Sequence, residues 1–223
     1  LVEDAAEAIG QKLNNRLCGS FGDISTFSFY ANKQITTGEG GMITTNNKKL
    51  FEQSKNLRNL CFGKKDRFNH EDIGWNYRMT NLQASLGVSQ LKRVKSIVSK
   101  RHKVGKKYFE RLKNNKNIYI PETTRSYAKN IYWVIAFVIT NKNLKIDAKQ
   151  LMKKLLNYGI QTRPFFWPMH KQNVFRKKYK INVSGNYKNS EYISRYGLYL
   201  PSSLDIKSDQ IKFICDKVNS ILK

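Results

Sequence analysis

The sequence has few cysteines, and their arrangement argues against disulfide or zinc chemistry. Three cysteines occur, widely spaced and without a C-x-x-C pair: Cys18, Cys61 and Cys215. An odd number at such spacing predicts neither a disulfide framework nor a cysteine zinc site. Reduced thiols are typical of the cytoplasm, so we expect a cytoplasmic protein.

Histidine is also scarce, with three in the chain. The run His70-Glu71-Asp72 contains potential metal ligands, but adjacent side chains diverge and the other histidines, His102 and His170, are remote in sequence. A metal site needs several ligands that converge on one point. We therefore predict no metal site.

Long hydrophobic runs are absent as well. The longest, residues 131–139, is far shorter than the ~20 residues that span a bilayer. No charged segment followed by an apolar stretch opens the chain, as a signal peptide would. The hydrophobic content of 40% is ordinary for a globular protein. We expect no membrane partner.

Acidic residues are outnumbered, with 16 Asp and Glu against 41 Lys and Arg, which gives a formal charge of +25. Such a charge makes nucleic acid a possible partner through phosphate neutralisation. The lysines are spread along the chain, however, without an RNP or zinc-finger pattern. A lysine-rich bias together with an anionic small-molecule substrate explains the charge better. A basic nucleic-acid-binding module stays as an alternative.

What the sequence does contain is one lysine set between a strand and a glycine-rich turn. Residues 24–29 are β-branched and aromatic, with Ser28 as the polar exception near the end, and Lys33 follows. This pattern predicts a mostly buried strand. The spacing of Gly38, Gly40 and Gly41 fits neither G-x-G-x-x-G nor a P-loop. A tight turn into a strand over residues 42–45 explains these glycines.

An aspartate stands at the end of an earlier short strand. Asp4 follows Leu1-Val2-Glu3, at a point where we expect a helix to begin. If the two strands are parallel in one sheet, Asp4 and the segment from Ser28 to Lys33 emerge at the same edge, where open α/β sheets bind ligands. A lysine there can form a Schiff base with pyridoxal phosphate, an aspartate can keep its pyridine nitrogen protonated, and a serine can donate to its phosphate. Taken alone, these residues would more often be a solvated lysine and a helix-capping aspartate.

The order of several motifs adds to this reading. They are Val2-Glu3-Asp4-Ala5-Ala6-Glu7-Ala8-Ile9-Gly10, Gly22-Asp23, Phe27-Ser28-Phe29, Lys33, Gly38-Glu39-Gly40-Gly41, Gly74-Trp75-Asn76-Tyr77-Arg78-Met79 and the stretch 83–91. In this order they resemble the DegT/DnrJ/EryC1/StrS sugar aminotransferases. The resemblance is colinear over the first half of the chain and continues more loosely through residues 159–164 to 200–202.

The resemblance implies an α/β fold, that of the fold-type I pyridoxal-phosphate-dependent transferases. It makes Lys33 the catalytic Schiff-base residue, Asp4 the partner of the pyridine nitrogen and Ser28 a phosphate ligand. Glu7 matches a position near the cofactor ring. Asn76 matches a residue that reaches the cofactor phosphate of the neighbouring subunit, which implies a homodimer with shared active sites. Family members that dehydrate the sugar carry histidine in place of Lys33, so lysine favours transamination.

Glu7 and residues 162–170 resemble the GDP-perosamine branch of this family, which serves lipopolysaccharide O-antigen biosynthesis. That resemblance implies transfer of an amino group from L-glutamate to C4 of GDP-4-keto-6-deoxymannose. UDP- and dTDP-linked 4-keto sugars stay as alternatives. Candidate contacts to the donor carboxylate or the nucleotide phosphates are Tyr77, Arg78, Arg163 and His170. For each of these four, a purely structural role is an equally open interpretation.

The domain organisation follows from the same resemblance. Residues 1–112 are expected to be the C-terminal part of the cofactor-binding large domain, and residues 113–223 a small α+β domain. The family has upstream strands that these residues do not supply. We therefore expect the chain to be incomplete by itself as an enzyme, and an inactive fragment is a further alternative.

Hydrophobic spacing predicts the main helices. We expect helices over residues 48–59, with Leu50, Phe51 and Leu57 facing inward, and one long or kinked helix over residues 80–113. An apolar stripe including Leu82 and Leu86 is expected to face the core. Further along, the pattern predicts a strand over residues 131–140 and helices over 147–158, 189–196 and 208–222.

Overall fold

The backbone packs in two separate units. The computed structural model describes residues 1–63, 66–70, 72–181 and 185–223. The first unit contains Leu1–Arg101 and Thr124–Trp133, and the second contains His102–Thr123 and Val134–Lys223. The predicted domain boundary at residue 112 stays a prediction.

The structure is mixed α/β. Its strands in chain order are β1 (Val2–Asp4), β2 (Lys12–Leu13), β3 (Arg16–Leu17), β4 (Ile24–Ser28), β5 (Gly41–Thr45), β6 (Ile118–Tyr119), β7 (Thr124–Arg125), β8 (Ala128–Lys129), β9 (Ile135–Ile139), β10 (Arg163–Pro164) and β11 (Gly197–Leu200). Its α-helices are α1 (Lys48–Arg58), α2 (Asn81–Leu91), α3 (Val94–Leu112), α4 (Ala148–Leu156), α5 (Lys188–Tyr196) and α6 (Ser208–Ile221). Short helical turns occur at Lys142–Leu144, Met169–Lys171 and Val174–Lys178.

The first unit contains a sheet in the order β1-β4-β5. Strands β1 and β4 are parallel, with Asp4 opposite Thr26, whereas β5 runs antiparallel to β4 and places Gly41 opposite Ser28. Because parallel strands end at the same side of a sheet, Asp4 and Ser28 leave it at one edge. The parallel pairing on which the shared position of Asp4 and Ser28 depends is therefore present. A second small sheet in this unit has the order β3-β2-β8-β7.

The second unit has a sheet in the order β10-β11-β9-β6 with antiparallel pairings. Alternate side chains of β9, including Phe137, are buried, as expected for a strand with one covered face. Helix α4 begins with a capping box between Asp147 and Gln150 and buries Leu151 and Leu155. Helix α6 buries Ile211 and residues one and two turns further along. The buried residues recur at the periods of a helix or a strand, and they form the apolar core of the second unit.

Three local expectations are wrong. Residues after Asp4 form turns instead of a helix, because the Asp4 carboxylate accepts the N–H of Ala6, and Gly10 adopts φ +85°. On α1, Leu50 and Leu57 are half-buried as expected, but Phe51, which was also expected to face inward, is exposed. Leu82 and Leu86 are likewise exposed on α2. The long or kinked helix expected over residues 80–113 agrees with the structure in its kinked form, because α2 and α3 are separated by two residues, with a tightened bond from the N–H of Arg93 to the carbonyl of Gln90.

Glu3 ties β1 to the loop that precedes β4. Its carboxylate accepts hydrogen bonds from the N–H groups of Gly19, Phe21 (2.9 Å) and Gly22 (3.3 Å), and from the hydroxyl of Ser25 at 3.4 Å. The bond from Gly19 contributes most to lowering the pKa of Glu3 below its ordinary value. One carboxylate therefore organises the turn that leads into β4.

We predict that Glu3→Gln lowers the free energy of unfolding by about 1–3 kcal/mol, because an amide keeps one acceptor oxygen and presents a donor to the N–H groups. Since the folded-state pKa is depressed, the carboxylate stabilises the fold above its unfolded-state pKa, and that contribution disappears as the pH falls through the folded-state pKa. Urea unfolding at about pH 7 and about pH 3 measures both effects. Glu52→Gln, on an exposed position of α1, is the control. Equal stability and equal pH dependence of Glu3→Gln and the unmodified protein would contradict the role given to Glu3.

Candidate active site

Lys33 lies in a turn that follows β4. Its backbone N–H donates to the carbonyl of Tyr30 at 3.0 Å, and the N–H of Thr37 donates to the carbonyl of Phe29 at 2.9 Å, which closes the loop. The Lys33 side chain is only 8% exposed, and its Nζ lies 3.1 Å from Oε1 of Glu7. The loop therefore turns a lysine inward onto a carboxylate instead of into solvent.

The segment that carries Glu7 is held to the lysine loop by a second contact. Gln34 is buried, and its Nε2 donates to the backbone carbonyl of Glu7 at 3.0 Å. Glu7 itself is half exposed. Lys33 and Gln34 thus both contact Glu7, which lies in the turns after β1. These contacts hold the lysine loop against the end of the strand that carries Asp4.

Asp4 and Ser28 occupy the ends of the two parallel strands. Oδ1 of Asp4 accepts the N–H of Ala6 at 3.1 Å, and Asp4 is exposed. Ser28 accepts the N–H of Tyr30 on Oγ at 3.3 Å, which leaves its hydroxyl hydrogen for another acceptor. The edge of the sheet therefore presents a carboxylate, a hydroxyl and, from the following loop, an amine.

Helix α2 secures the far side of the lysine loop. The Gln90 side chain donates from Nε2 to the carbonyl of Thr36 at 2.6 Å and accepts the N–H of Thr36 on Oε1 at 3.2 Å. Gln83 donates to the carbonyl of Glu39 at 3.3 Å. The two glutamines are seven residues apart and so lie on one helix face. The sequence shows this spacing, but it does not indicate which backbone groups the two glutamines bind.

Gly40 allows the loop to close before β5. Its φ is +138°, and an added Cβ would lie 2.7 Å from Oγ1 of Thr37 and 2.8 Å from Cε of Met79. A side chain here would meet both an unfavourable backbone conformation and two close neighbours. The interpretation of these glycines as a tight turn into a strand agrees with the observed start of β5 at Gly41.

Trp133 is the neighbour of Lys33 that the sequence did not reveal. The Lys33 Nζ lies 4.1 Å from the centroid of the Trp133 ring, within the range of a cation–π contact. Trp133 belongs to the apolar run over residues 131–139, so its pattern indicated only a buried strand. Without the tertiary fold, nothing distinguishes this aromatic residue from the core residues around it.

Asn76, Tyr77 and Arg78 form an exposed segment beside the end of α1. Asn76 pairs with Asn59 in an isolated β-bridge, and the N–H of Tyr77 donates to the carbonyl of Arg58 at 3.1 Å. Arg78 donates from Nε to Oδ1 of Asn76 at 2.9 Å. All three side chains are exposed. Their roles in cofactor and substrate binding stay predictions.

Arg163 and His170 belong to the second unit. Arg163 is exposed on β10, whereas His170 is largely buried and places Nε2 3.1 Å from Oε1 of Glu191. The ring of His170 also packs on Tyr187, with 4.4 Å between centroids. A hydrogen bond from Lys171, followed by that from His170, lowers the pKa of Glu191 below its ordinary value. Substrate contacts of Arg163 and His170 stay predictions.

The described parts of the chain give two findings on metals and membranes. No three His, Cys, Asp or Glu residues among them come together as a metal site. Of the run His70-Glu71-Asp72, Glu71 lies outside the described residues, and Nδ1 of His70 is 2.6 Å from the carbonyl of Leu60. Within the same ranges, none of the helices combines the length and the apolar character needed to span a bilayer.

The residues at this edge fit the chemistry of pyridoxal phosphate. The cofactor needs an amine for its aldehyde, a carboxylate for its pyridine nitrogen and donors for its phosphate. Lys33 supplies an amine that is almost fully removed from solvent. Asp4 has one carboxylate oxygen bonded to Ala6 and the other without a partner among the described residues, and Ser28 has a hydroxyl hydrogen to donate.

Comparison with known proteins agrees with this arrangement. A sequence model of the DegT/DnrJ/EryC1/StrS aminotransferase family matches residues 1–219. The chain is 34% identical to the GDP-perosamine synthase of Vibrio cholerae over 223 residues, covering 99% of the chain and 58% of that protein. It is 32% identical to the GDP-perosamine synthase of Escherichia coli O157:H7 over 222 residues, covering 98% of the chain and 57% of that protein.

A solved structure has the same fold. Helicobacter pylori PseC, described as an aminotransferase involved in the biosynthesis of pseudoaminic acid, aligns with a TM-score of 0.89 and 26% identity, covering 99% of this chain and 59% of PseC. The chain thus spans less than two thirds of the length of these relatives. The predicted resemblance and fold class are confirmed.

We predict that Glu7 and Lys33 are energetically coupled. A double-mutant cycle with Glu7→Gln, Lys33→Met and the double variant should give a coupling free energy of about 1 kcal/mol, since one partner is half exposed and the other nearly buried. Urea unfolding of the four proteins measures it. The same cycle on Glu110 and Lys113, a pair in which both side chains are substantially exposed, is expected to give a smaller value. A coupling indistinguishable from zero would contradict the ion pair.

Proposed function

Because this chain belongs to the DegT/DnrJ/EryC1/StrS aminotransferase family, we propose that its protein is a pyridoxal-phosphate-dependent sugar aminotransferase in which Lys33 holds the cofactor. The observation that carries the proposal is the setting of this lysine. Its side chain is largely shielded from solvent and contacts Glu7. Lys33 lies in the loop after β4, and β4 is parallel to β1, the strand that ends at Asp4. A solvated surface lysine would have no such surroundings.

In the proposed site each residue has a distinct task. Pyridoxal phosphate, when bound, supplies an aldehyde that amines capture and a ring that withdraws electrons. Lys33 would hold it covalently through Nζ, and Asp4 would accept a hydrogen bond from its protonated ring nitrogen. Ser28 would donate to its phosphate. Glu7, which contacts Nζ at 3.1 Å, would orient the amine beside the ring.

The freed amine of Lys33 is the proposed acid and base. A general base must lie within hydrogen-bond reach of the proton it takes, and an amine on a long side chain at the reacting centre meets this need. Nζ would take a proton from the carbon of the amino donor and later return one to the carbon of the sugar. Asp4, as a fixed negative charge at the ring nitrogen, would favour both transfers.

The proposed amino donor is L-glutamate, and the proposed acceptor is a nucleotide-linked 4-keto-6-deoxy sugar. GDP-4-keto-6-deoxymannose, giving GDP-perosamine for O-antigen biosynthesis, is favoured by the GDP-perosamine synthases of three bacteria among the relatives, at 32–34% identity. A UDP-linked sugar is the second candidate, because a Campylobacter jejuni relative, 27% identical, is named UDP-4-amino-4,6-dideoxy-N-acetyl-beta-L-altrosamine transaminase. Proposed contacts to these anions are Tyr77, Arg78, Arg163 and His170.

We further propose that the protein works as a homodimer in the cytoplasm. Asn76 is exposed in the single chain, as is required if it serves the cofactor phosphate of a neighbouring subunit. The free thiols of Cys18, Cys61 and Cys215 agree with a reducing compartment. A lysine-rich composition, together with an anionic nucleotide sugar and cofactor, accounts for the high positive charge without a nucleic-acid partner.

The direct test is chemical trapping. We predict that borohydride reduction of the protein, produced from its complete coding sequence and mixed with pyridoxal phosphate, fixes a pyridoxyl group on the peptide containing Lys33. Peptide mass mapping identifies the site. Lys33→Arg is expected to abolish this adduct, because a guanidinium cannot take the place of the amine. Lys12→Arg, on an exposed strand position, is the matched control and should leave the adduct intact. An adduct on a different lysine would remove the proposed function.

A second test addresses the substrate. We predict that GDP-4-keto-6-deoxymannose with L-glutamate yields an amino sugar at a kcat/KM at least about tenfold above that for the UDP- and dTDP-linked 4-keto-6-deoxy sugars, since one or two polar contacts separate such substrates. Mass spectrometry of the products measures this. The Lys33→Arg variant serves as the blank. Preference for a UDP-linked sugar would move the assignment to the second candidate, and binding of nucleic acid without cofactor uptake would contradict both.

A further inference from the structure

The ring of Trp133 is the second contact of the Lys33 amine. Nζ lies 4.1 Å from the ring centroid, and the amine at the same time faces Oε1 of Glu7 at 3.1 Å. The indole Nε1 is buried, so the ring is inserted in the structure rather than resting on its surface. An aromatic face at this distance attracts an ammonium group, more strongly where water is excluded.

The backbone before Trp133 is held in an unfavourable conformation. Tyr132 has φ 52°, in the left-handed region that bulky residues rarely adopt, and it is buried. The side chain of Asn130 accepts the N–H of Tyr132 at 2.8 Å, which stabilises this turn. Strain of this kind persists only where surrounding contacts fix it, and it is frequent at functional sites. Its effect here is to direct the next residue, Trp133, at the lysine.

We propose that Trp133 is a positioning residue for Lys33, whose indole face keeps the amine in place whenever the amine is not bonded to the cofactor. This inference rests on the proposed function. A lysine side chain has many rotamers, and a half-exposed carboxylate alone restrains it weakly. Glu7 and the Trp133 ring both contact the Lys33 Nζ, so together they define the position of the unbound amine.

The consequence is kinetic. An amine that leaves and regains the cofactor in every cycle must return to the same place, and a mobile amine returns more slowly. Loss of the ring is therefore expected to slow the attachment of pyridoxal phosphate to Lys33. A smaller aromatic ring preserves the attraction in part, whereas an aliphatic side chain of similar bulk does not. This difference separates a cation–π role from mere packing.

The test compares Trp133→Phe, Trp133→Leu and Trp133→Met in the protein from its complete coding sequence. The rate of pyridoxal phosphate attachment is followed by absorbance, and the site is verified by borohydride trapping. We expect Trp133→Leu and Trp133→Met to slow attachment about tenfold and Trp133→Phe to retain most of the rate. Phe213→Leu, which removes a ring 5.4 Å from Lys217, is the matched control and should leave the rate unchanged. Using two aliphatic variants keeps the test valid if one of them fails to fold.

A readout without cofactor examines the contact itself. In protein labelled with ¹³C at the lysine ε carbon, the Lys33 methylene should be shifted upfield by the ring current of Trp133, with assignment through Lys33→Arg. The shift should disappear in Trp133→Leu and persist in reduced form in Trp133→Phe. An unshifted Lys33 resonance in the unmodified protein overturns the proposal.

The kinetic outcomes are equally decisive. Attachment in Trp133→Leu and Trp133→Met at the rate of the unmodified protein overturns the positioning role, and so does equal slowing by Phe, Leu and Met, which would indicate packing. Absence of any attachment to Lys33 in the unmodified protein would overturn the proposed function and this inference with it. Failure confined to the comparison of Trp133 variants would overturn this inference alone.

Discussion

The parallel pairing of β1 with β4 is the constraint on which the site depends. With Asp4 opposite Thr26, both strands end at one edge of the sheet. The last residue of β1 is Asp4, and the last residue of β4 is Ser28. A shift of one residue would send every side chain of β1 to the opposite face. Glu3 stabilises this pairing by accepting three hydrogen bonds from the loop before β4 and one from Ser25 in β4 itself. The register of a three-residue strand is thus fixed by its central side chain.

Two polar side chains of the lysine loop are shielded from solvent, although Asp4 and Glu7 beside them are exposed. Lys33 and Gln34 are both nearly removed from solvent, and withdrawing an ammonium from water costs several kcal/mol unless other charges or dipoles compensate. Glu7 and the face of Trp133 provide that compensation. Gln90 and Gln83 bind the backbone of the following loop. A lysine that is restrained from several sides is suited to a reaction in which the amine must be held, released and held again.

The sequence indicated that Asp4 and Ser28 lie at the ends of two strands, and the structure makes these strands parallel. The polar ends of two apolar strands indicated Asp4, Ser28 and Lys33 together, because strand ends converge at a sheet edge. The sequence was insufficient for contacts that depend on tertiary folding. The pattern after Asp4 predicts a helix, but the chain forms turns there because the bond from Ala6 to the Asp4 side chain competes with helical hydrogen bonding. The Trp133 contact requires a left-handed Tyr132, which no periodicity indicates. Phe51, Leu82 and Leu86 lie exposed, where periodicity alone predicts burial.

The most direct measurement is a crystal structure of the protein bound to pyridoxal phosphate. The account predicts continuous electron density from Nζ of Lys33 to the cofactor, with a carboxylate oxygen of Asp4 within about 3 Å of the pyridine nitrogen. Cofactor bonded to another lysine, or a pyridine nitrogen that faces some other group while Asp4 stays remote, would contradict it.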